Sequence, residues 1–129
     1  MKSNYKLAIT LLAGVAIGGA AVQGLHAQAK LKAYSVGEIE PIAGAKVSAT
    51  YLETVRKAIT NHHGRALRTV NGRVVKIEGA DAPKSAAIVE WDSLDDAVAF
   101  YKSKEWTDLA PERAKAQKTI RRYVVEVEP

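Results

Sequence analysis

Four positions in this 129-residue chain carry side chains that could do chemistry: His62, Arg65, Glu90 and Arg113. His62 stands beside a second imidazole, His63, and histidine is the side chain whose ordinary proton affinity suits proton transfer near neutrality. The pair makes a poor metal site, because adjacent helix residues point about 100° apart and no Glu-x-x-His or His-x-x-x-His spacing accompanies them. A helix C-terminus favours a positive imidazole, so capping accounts for both without any reaction. Glu90 follows the apolar run Ala86-Ala87-Ile88-Val89 and precedes Trp91. A carboxylate there is expected to be partly buried and therefore costly unless paired, with Arg65 on a neighbouring strand as its natural partner. Such a pair could be structural, inside one chain or across a dimer, or it could clamp an anion at a pocket mouth. Arg113 comes just after a helix start marked by Pro111, where a ligand carboxylate would meet both backbone N–H groups and a guanidinium.

The elements that must position these residues are set by periodicity. Leu31 to Glu40 alternates, with Lys32, Tyr34, Val36 and Glu38 on one side, which is the period of a strand. Ala45 to His62 switches to helical spacing, with Tyr51, Leu52, Val55, Ala58, Ile59 and His62 on one face. His63-Gly64 should end that helix, the glycine supplying a left-handed cap. Arg65 to Val70 and Arg73 to Glu78 are strand-like and flank Asn71-Gly72, so this stretch is either a hairpin or one long bulged strand. A buried strand over 86–91 then runs into Ser93, which with Asp96 resembles a capping box. The helix beyond presents Leu94, Ala97, Val98 and Tyr101 on one face. Pro111 opens a short helix over about Glu112 to Lys118, and a last strand, Ile120 to Glu128, aligns Tyr123, Val125 and Val127. The order strand–helix–strand–strand–helix–strand is the ferredoxin-like α+β arrangement, a four-stranded antiparallel sheet with both helices on one side. The other face stays open, yet it too carries apolar residues. A second copy packed sheet against sheet would cover it, so a two-fold homodimer is expected.

Composition narrows the function classes. Lys2 and Lys6 precede an uncharged run from Leu7 to Val22, and Ala27-x-Ala29 is a small-x-small cleavage signal. This is the pattern of a secretory signal peptide over 1–29, cut near Ala27 to Ala29, which would leave one domain over 30–129 in the periplasm or medium. The alternative is an uncleaved N-terminal anchor, the only route to a membrane. From residue 30 onward 17 bases face 14 acids, a net charge of only +3. With no aromatic-rich RNA-binding signature either, nucleic acid is not an expected partner. The absence of cysteine removes disulfides, thiolate chemistry and cysteine metal sites, and no metal or other cofactor is expected. Tyr34, Tyr51, Tyr101, Trp91 and Trp106 read as core and interface filling more than as a pocket, and Lys102, Lys104, Arg121 and Arg122 as solvated charges.

The strings His62-His63-Gly64-Arg65, Ile77-Glu78-Gly79, Ile88-Val89-Glu90-Trp91-Asp92-Ser93, Ala99-Phe100-Tyr101-Lys102-Ser103, Leu109-x-Pro111-x-Arg113 and Val125-Glu126 occur here in a specific order and spacing. In this the chain resembles exported members of the domain of unknown function 1330 family, within the dimeric α+β-barrel superfamily. Members of that family usually place two glycines before the arginine, where this chain has His63 and Gly64. The resemblance implies a dimeric barrel but no agreed reaction. Relatives in the superfamily include cofactor-free monooxygenases, muconolactone isomerases and haem-degrading enzymes, which admit substrate between helices and sheet. The leading expectation is an exported dimer that holds a small organic molecule in that cavity, with His62, Arg65, Glu90 and Arg113 as candidate contacts. A cofactor-free monooxygenase or isomerase, and a structural dimer with no ligand, are the alternatives.

Overall fold

The computed structural model describes residues 30–129; the expected export signal, 1–29, lies outside the described residues. The elements are β1 (Lys32–Pro41), α1 (Ala49–Asn61), β2 (Gly64–Ala66), β3 (Ser85–Trp91), α2 (Leu94–Lys102), α3 (Lys104–Thr107), α4 (Ala110–Ala116) and β4 (Gln117–Val127). They form one four-stranded sheet in the order β2-β3-β1-β4, antiparallel throughout. This is the ferredoxin-like α+β topology expected from the sequence, with β1 and β3 at the centre.

Alternation along the strands decides what each face carries. Ala33, Val89 and Trp91 project from the sheet onto Ala58 and Ile59 of α1 and Ala97 and Phe100 of α2, so both helices cover the same side. Inside this core the Trp91 indole donates to Ser35 Oγ at 2.9 Å, and Ser35 Oγ lies 2.8 Å from the Tyr101 hydroxyl. The indole N–H is thereby satisfied, as a buried donor must be. The opposite face carries Tyr34 and Val36 of β1, Ile88 and Glu90 of β3, and Tyr123, Val125 and Val127 of β4, and no helix of the described residues covers it.

The helices start where their caps allow. Ser93 Oγ accepts the N–H of Asp96 at 3.1 Å, the cap expected for α2. It donates to the Asp96 carboxylate at 2.8 Å, so that carboxylate bonds the hydroxyl where a capping box would use the Ser93 N–H. Ser48 caps α1 in the same way, accepting the N–H of Tyr51 at 3.0 Å, so that helix begins at Ala49 and not at Ala45. Phe100, absent from the expected face of α2, is buried there, whereas Val98 is 37% exposed; Leu52 likewise points outward from α1. The short helix α3 was not expected.

The stretch after α1 departs most from expectation. His63 itself takes the left-handed conformation, with φ 63°, and Gly64 does not. Gly64 is needed for space instead: a Cβ there would lie 2.6 Å from Trp91 Cζ3 and 2.7 Å from Ile59 Cγ2. Neither a full hairpin nor a full bulged strand forms over Arg65 to Glu78. Asn71-Gly72 does turn the chain, with the Arg73 N–H on the Val70 carbonyl at 3.1 Å, but the ladder with β3 covers Gly64–Ala66 and closes with the Leu67 N–H on the Ile88 carbonyl at 2.9 Å. Residues 73–77 leave the sheet with Val75 76% and Ile77 90% exposed.

Candidate functional site

The sheet separates the four candidate residues. Glu90 and Arg65 stand side by side on the open face as direct cross-strand partners, and Arg65 Nη2 lies 3.2 Å from Glu90 Oε1. Two further donors converge on the same carboxylate. Lys32 Nζ reaches Oε1 at 2.8 Å, and the Tyr34 hydroxyl donates to Oε2 at 2.9 Å. The Glu90 side chain keeps only 16% of its exposure, while that of Arg65 keeps 70%. The hydrogen bonds from Lys32 and Tyr34 outweigh the partial burial and hold the Glu90 carboxyl below its ordinary range. The same bond pushes the Lys32 ammonium and the Tyr34 hydroxyl upward. A carboxylate so firmly ionised and so fully bonded is a weak proton acceptor.

His62 lies on the other side of the sheet, at the end of α1. Its ring meets Phe100 edge-on at 5.7 Å, and Nε2 lies 3.3 Å from Glu105 of α3. No second candidate stands with it. Arg113 does not offer its guanidinium beside the start of α4, as its position suggested. The side chain turns back onto Trp106, with Cζ 3.6 Å from the ring centroid, and Nη1 donates to the Tyr51 hydroxyl at 3.3 Å.

Sequence reasoning missed the residue that shares Trp106 with Arg113. Arg122 was expected to be a solvated charge. It stands half-buried on the helix side of β4, its Cζ 4.9 Å from the Trp106 centroid and 5.7 Å from that of Tyr101. Its neighbour Arg121 points to the open face and pairs with Glu38. Alternation in the last strand signalled that the two arginines face opposite ways. The register that sets Arg122 directly beside Gly37 is not encoded in composition or spacing.

Between α2, α3 and β4 this arrangement leaves a cleft of about 310 Å³, lined by Val98, Tyr101, Trp106, Val124, Lys102 and Arg122. Wider hollows run along the outside of α1 and between α1 and the 64–71 stretch. They border no aromatic ring. Among the described residues no group of three metal-ligating side chains is assembled.

The family described as "Domain of unknown function (DUF1330)" matches residues 32–127, nearly all of the described chain. The chain belongs to this family. No curated protein matches it. Among solved structures it is similar to a protein of unknown function from Rhodopseudomonas palustris, at 11% identity over 84% of this chain and 91% of that one, with a TM-score of 0.56. A dimeric, ferredoxin-like protein of unknown function from Bacteroides fragilis is similar at 13% identity, over 75% and 95% of the two chains, with a TM-score of 0.40. At 11% identity the likeness to the first of these speaks for the fold of this DUF1330 domain alone.

Proposed function

We propose that this chain is an exported, dimer-forming member of DUF1330 that holds a small organic molecule between its helices and its sheet. One observation carries the reading: the cleft between α2, α3 and β4 joins apolar walls (Val98, Tyr101, Trp106, Val124) to a few cationic groups. That is the usual make-up of a ligand pocket, in which apolar surface gives affinity and sparse polar groups fix orientation. Its volume, about 310 Å³, suits a compact ligand and stands at the lower end of such pockets. Export rests on the uncharged run from Leu7 to Val22 and on Ala27-x-Ala29. It predicts a mature N-terminus near residue 28 or 30.

Binding is favoured over turnover by the placement of the titratable groups. A cofactor-free oxygenase or isomerase needs a proton acceptor facing its substrate. Glu90 is on the far face of the sheet and is held ionised, and His62 is engaged with Glu105 outside the cleft lining.

The test is native purification followed by mass spectrometry of whatever small molecules the denatured protein releases, compared with Val98→Trp. That substitution fills the cleft from a position already 37% exposed on α2, so the fold should survive it. A compound released by the parent and missing from the variant supports the reading. The same compounds from both, or none from either, would overturn it.

A further inference from the structure

Arg113 and Arg122 bring two guanidinium groups to one indole, and neither has a carboxylate within 4.0 Å among the described residues. Residues 1–29 contain no Asp or Glu that could supply one. Elsewhere on the sheet shielded charges are matched with care: Glu90 has Lys32 and Arg65, and Glu38 has Arg121. Arg122 is half-buried with no counter-charge among the described residues, and the faces of Trp106 and Tyr101 offset only part of the cost of shielding it.

The seat of Arg122 is built into the strand beside it. Gly37 is its direct cross-strand partner in β1. A Cβ at that position would fall on Arg122 Nη1 and within 2.8 Å of Cζ. Glycine in mid-strand weakens a sheet, and here its effect is to let a guanidinium lie flat against the backbone. Arg113 spends one N–H on Tyr51, and Arg122 meets no hydrogen-bond acceptor among the described residues. Its planar fork of donors therefore stays free at the rim of the cleft, with Lys102 beside it.

Taking the cleft to be a small-molecule site, we infer that its ligand is a monocarboxylic acid with a compact apolar body. The carboxylate is bound by Arg122, with Lys102 beside it, next to Trp106, and the body rests on Val98, Tyr101 and Val124. A guanidinium fork matches a carboxylate in two parallel hydrogen bonds, and an anion here neutralises the unpaired charge of Arg122. A bare inorganic anion would leave the apolar walls unused.

Benzoate serves as the probe, with benzamide as its uncharged counterpart and sulfate as an anion without a body. Binding is followed by NMR through the indole resonance of Trp106 and by calorimetry. Benzoate should shift that resonance saturably, and benzamide and sulfate should not. Arg122→Gln and Gly37→Ala, the second of which pushes the Arg122 head out of its seat, should each weaken benzoate by roughly tenfold or more. Lys115→Gln, the same loss of charge on the exposed side of α4, should leave it unchanged. An equal effect of Lys115→Gln and Arg122→Gln, or no shift at Trp106, overturns the inference. If benzamide binds as tightly as benzoate and Arg122→Gln is without effect, the carboxylate assignment falls while the small-molecule reading stands. Both fall together if no probe binds and no compound co-purifies.

Discussion

Ser35 shows how much one small side chain can carry in this core. It accepts the Trp91 N–H and shares a hydrogen bond with Tyr101, while Trp91 and Ser35 are almost wholly enclosed. Ser35→Ala would strand a buried indole N–H, and we expect a loss of about 1–3 kcal/mol in urea unfolding; an effect near zero would mean that water reaches the site. Glu90 makes the matching case on the open face. Its carboxyl titrates below the ordinary 4.5, so its contribution to stability is complete above that value and fades as pH falls through the lowered one. Lys32 is raised above 10.5, so its share is present below that value and is lost as pH climbs through the raised one. Unfolding measured across a pH series should therefore weaken at both extremes. Glu90→Gln should flatten the acid limb and also remove the alkaline contribution of Lys32. An unchanged acid limb in that variant would show that the cluster contributes nothing to folding.

At the level of elements, the turn from α1 into β2 is the place where residue type and backbone are in conflict. His63 occupies a left-handed conformation that costs a side-chain-bearing residue about 1–2 kcal/mol. Glycine would avoid that cost while adding unfolded-state entropy. His63→Gly should therefore raise stability by up to about 1 kcal/mol. Gly64→Ala should lower it by about 1–3 kcal/mol, because the new methyl meets Trp91 and Ile59. Thermal and urea unfolding of the two variants should move in opposite directions. Much of the architecture was legible because it is local: the Ser93 cap, the alternation of β1 and β4 and the order of elements all follow from neighbours in sequence. The hairpin signal at Asn71-Gly72 held only as a turn, since a ladder also needs a partner edge and Arg73 to Ile77 finds none among the described residues. The candidate site was half legible. Arg65–Glu90 followed from the cost of burying a lone carboxylate, whereas Lys32, Tyr34 and the Arg122–Gly37 seat depend on strand register, which composition and spacing do not encode.

For the whole molecule, the open face and the unpaired 73–77 stretch pose the same problem. Tyr123, Val125 and Val127 stand exposed on β4, and Val75 and Ile77 are more exposed still. Apolar surface gathered in this way marks an association site more often than a wet surface. The carboxylates on the face, Glu90 and Glu38, already have cations of their own chain against them, so a second copy could cover them without stranding a charge. A two-fold axis would pair each apolar patch with its own copy, which closes the assembly at two. We therefore expect sedimentation equilibrium to give a dimer at micromolar concentration, with a melting temperature that rises with protein concentration. Val125→Glu places a new charge on the open face, on the edge strand β4 opposite Tyr34 of β1 and outside the helix-covered core. It should yield a monomer with an unchanged far-ultraviolet circular dichroism spectrum. A parent protein that sediments as a single subunit and melts at one temperature over a hundredfold range of dilution would remove the case for the barrel. It would also leave the exposed valines and isoleucine as the feature of this fold most in need of another partner.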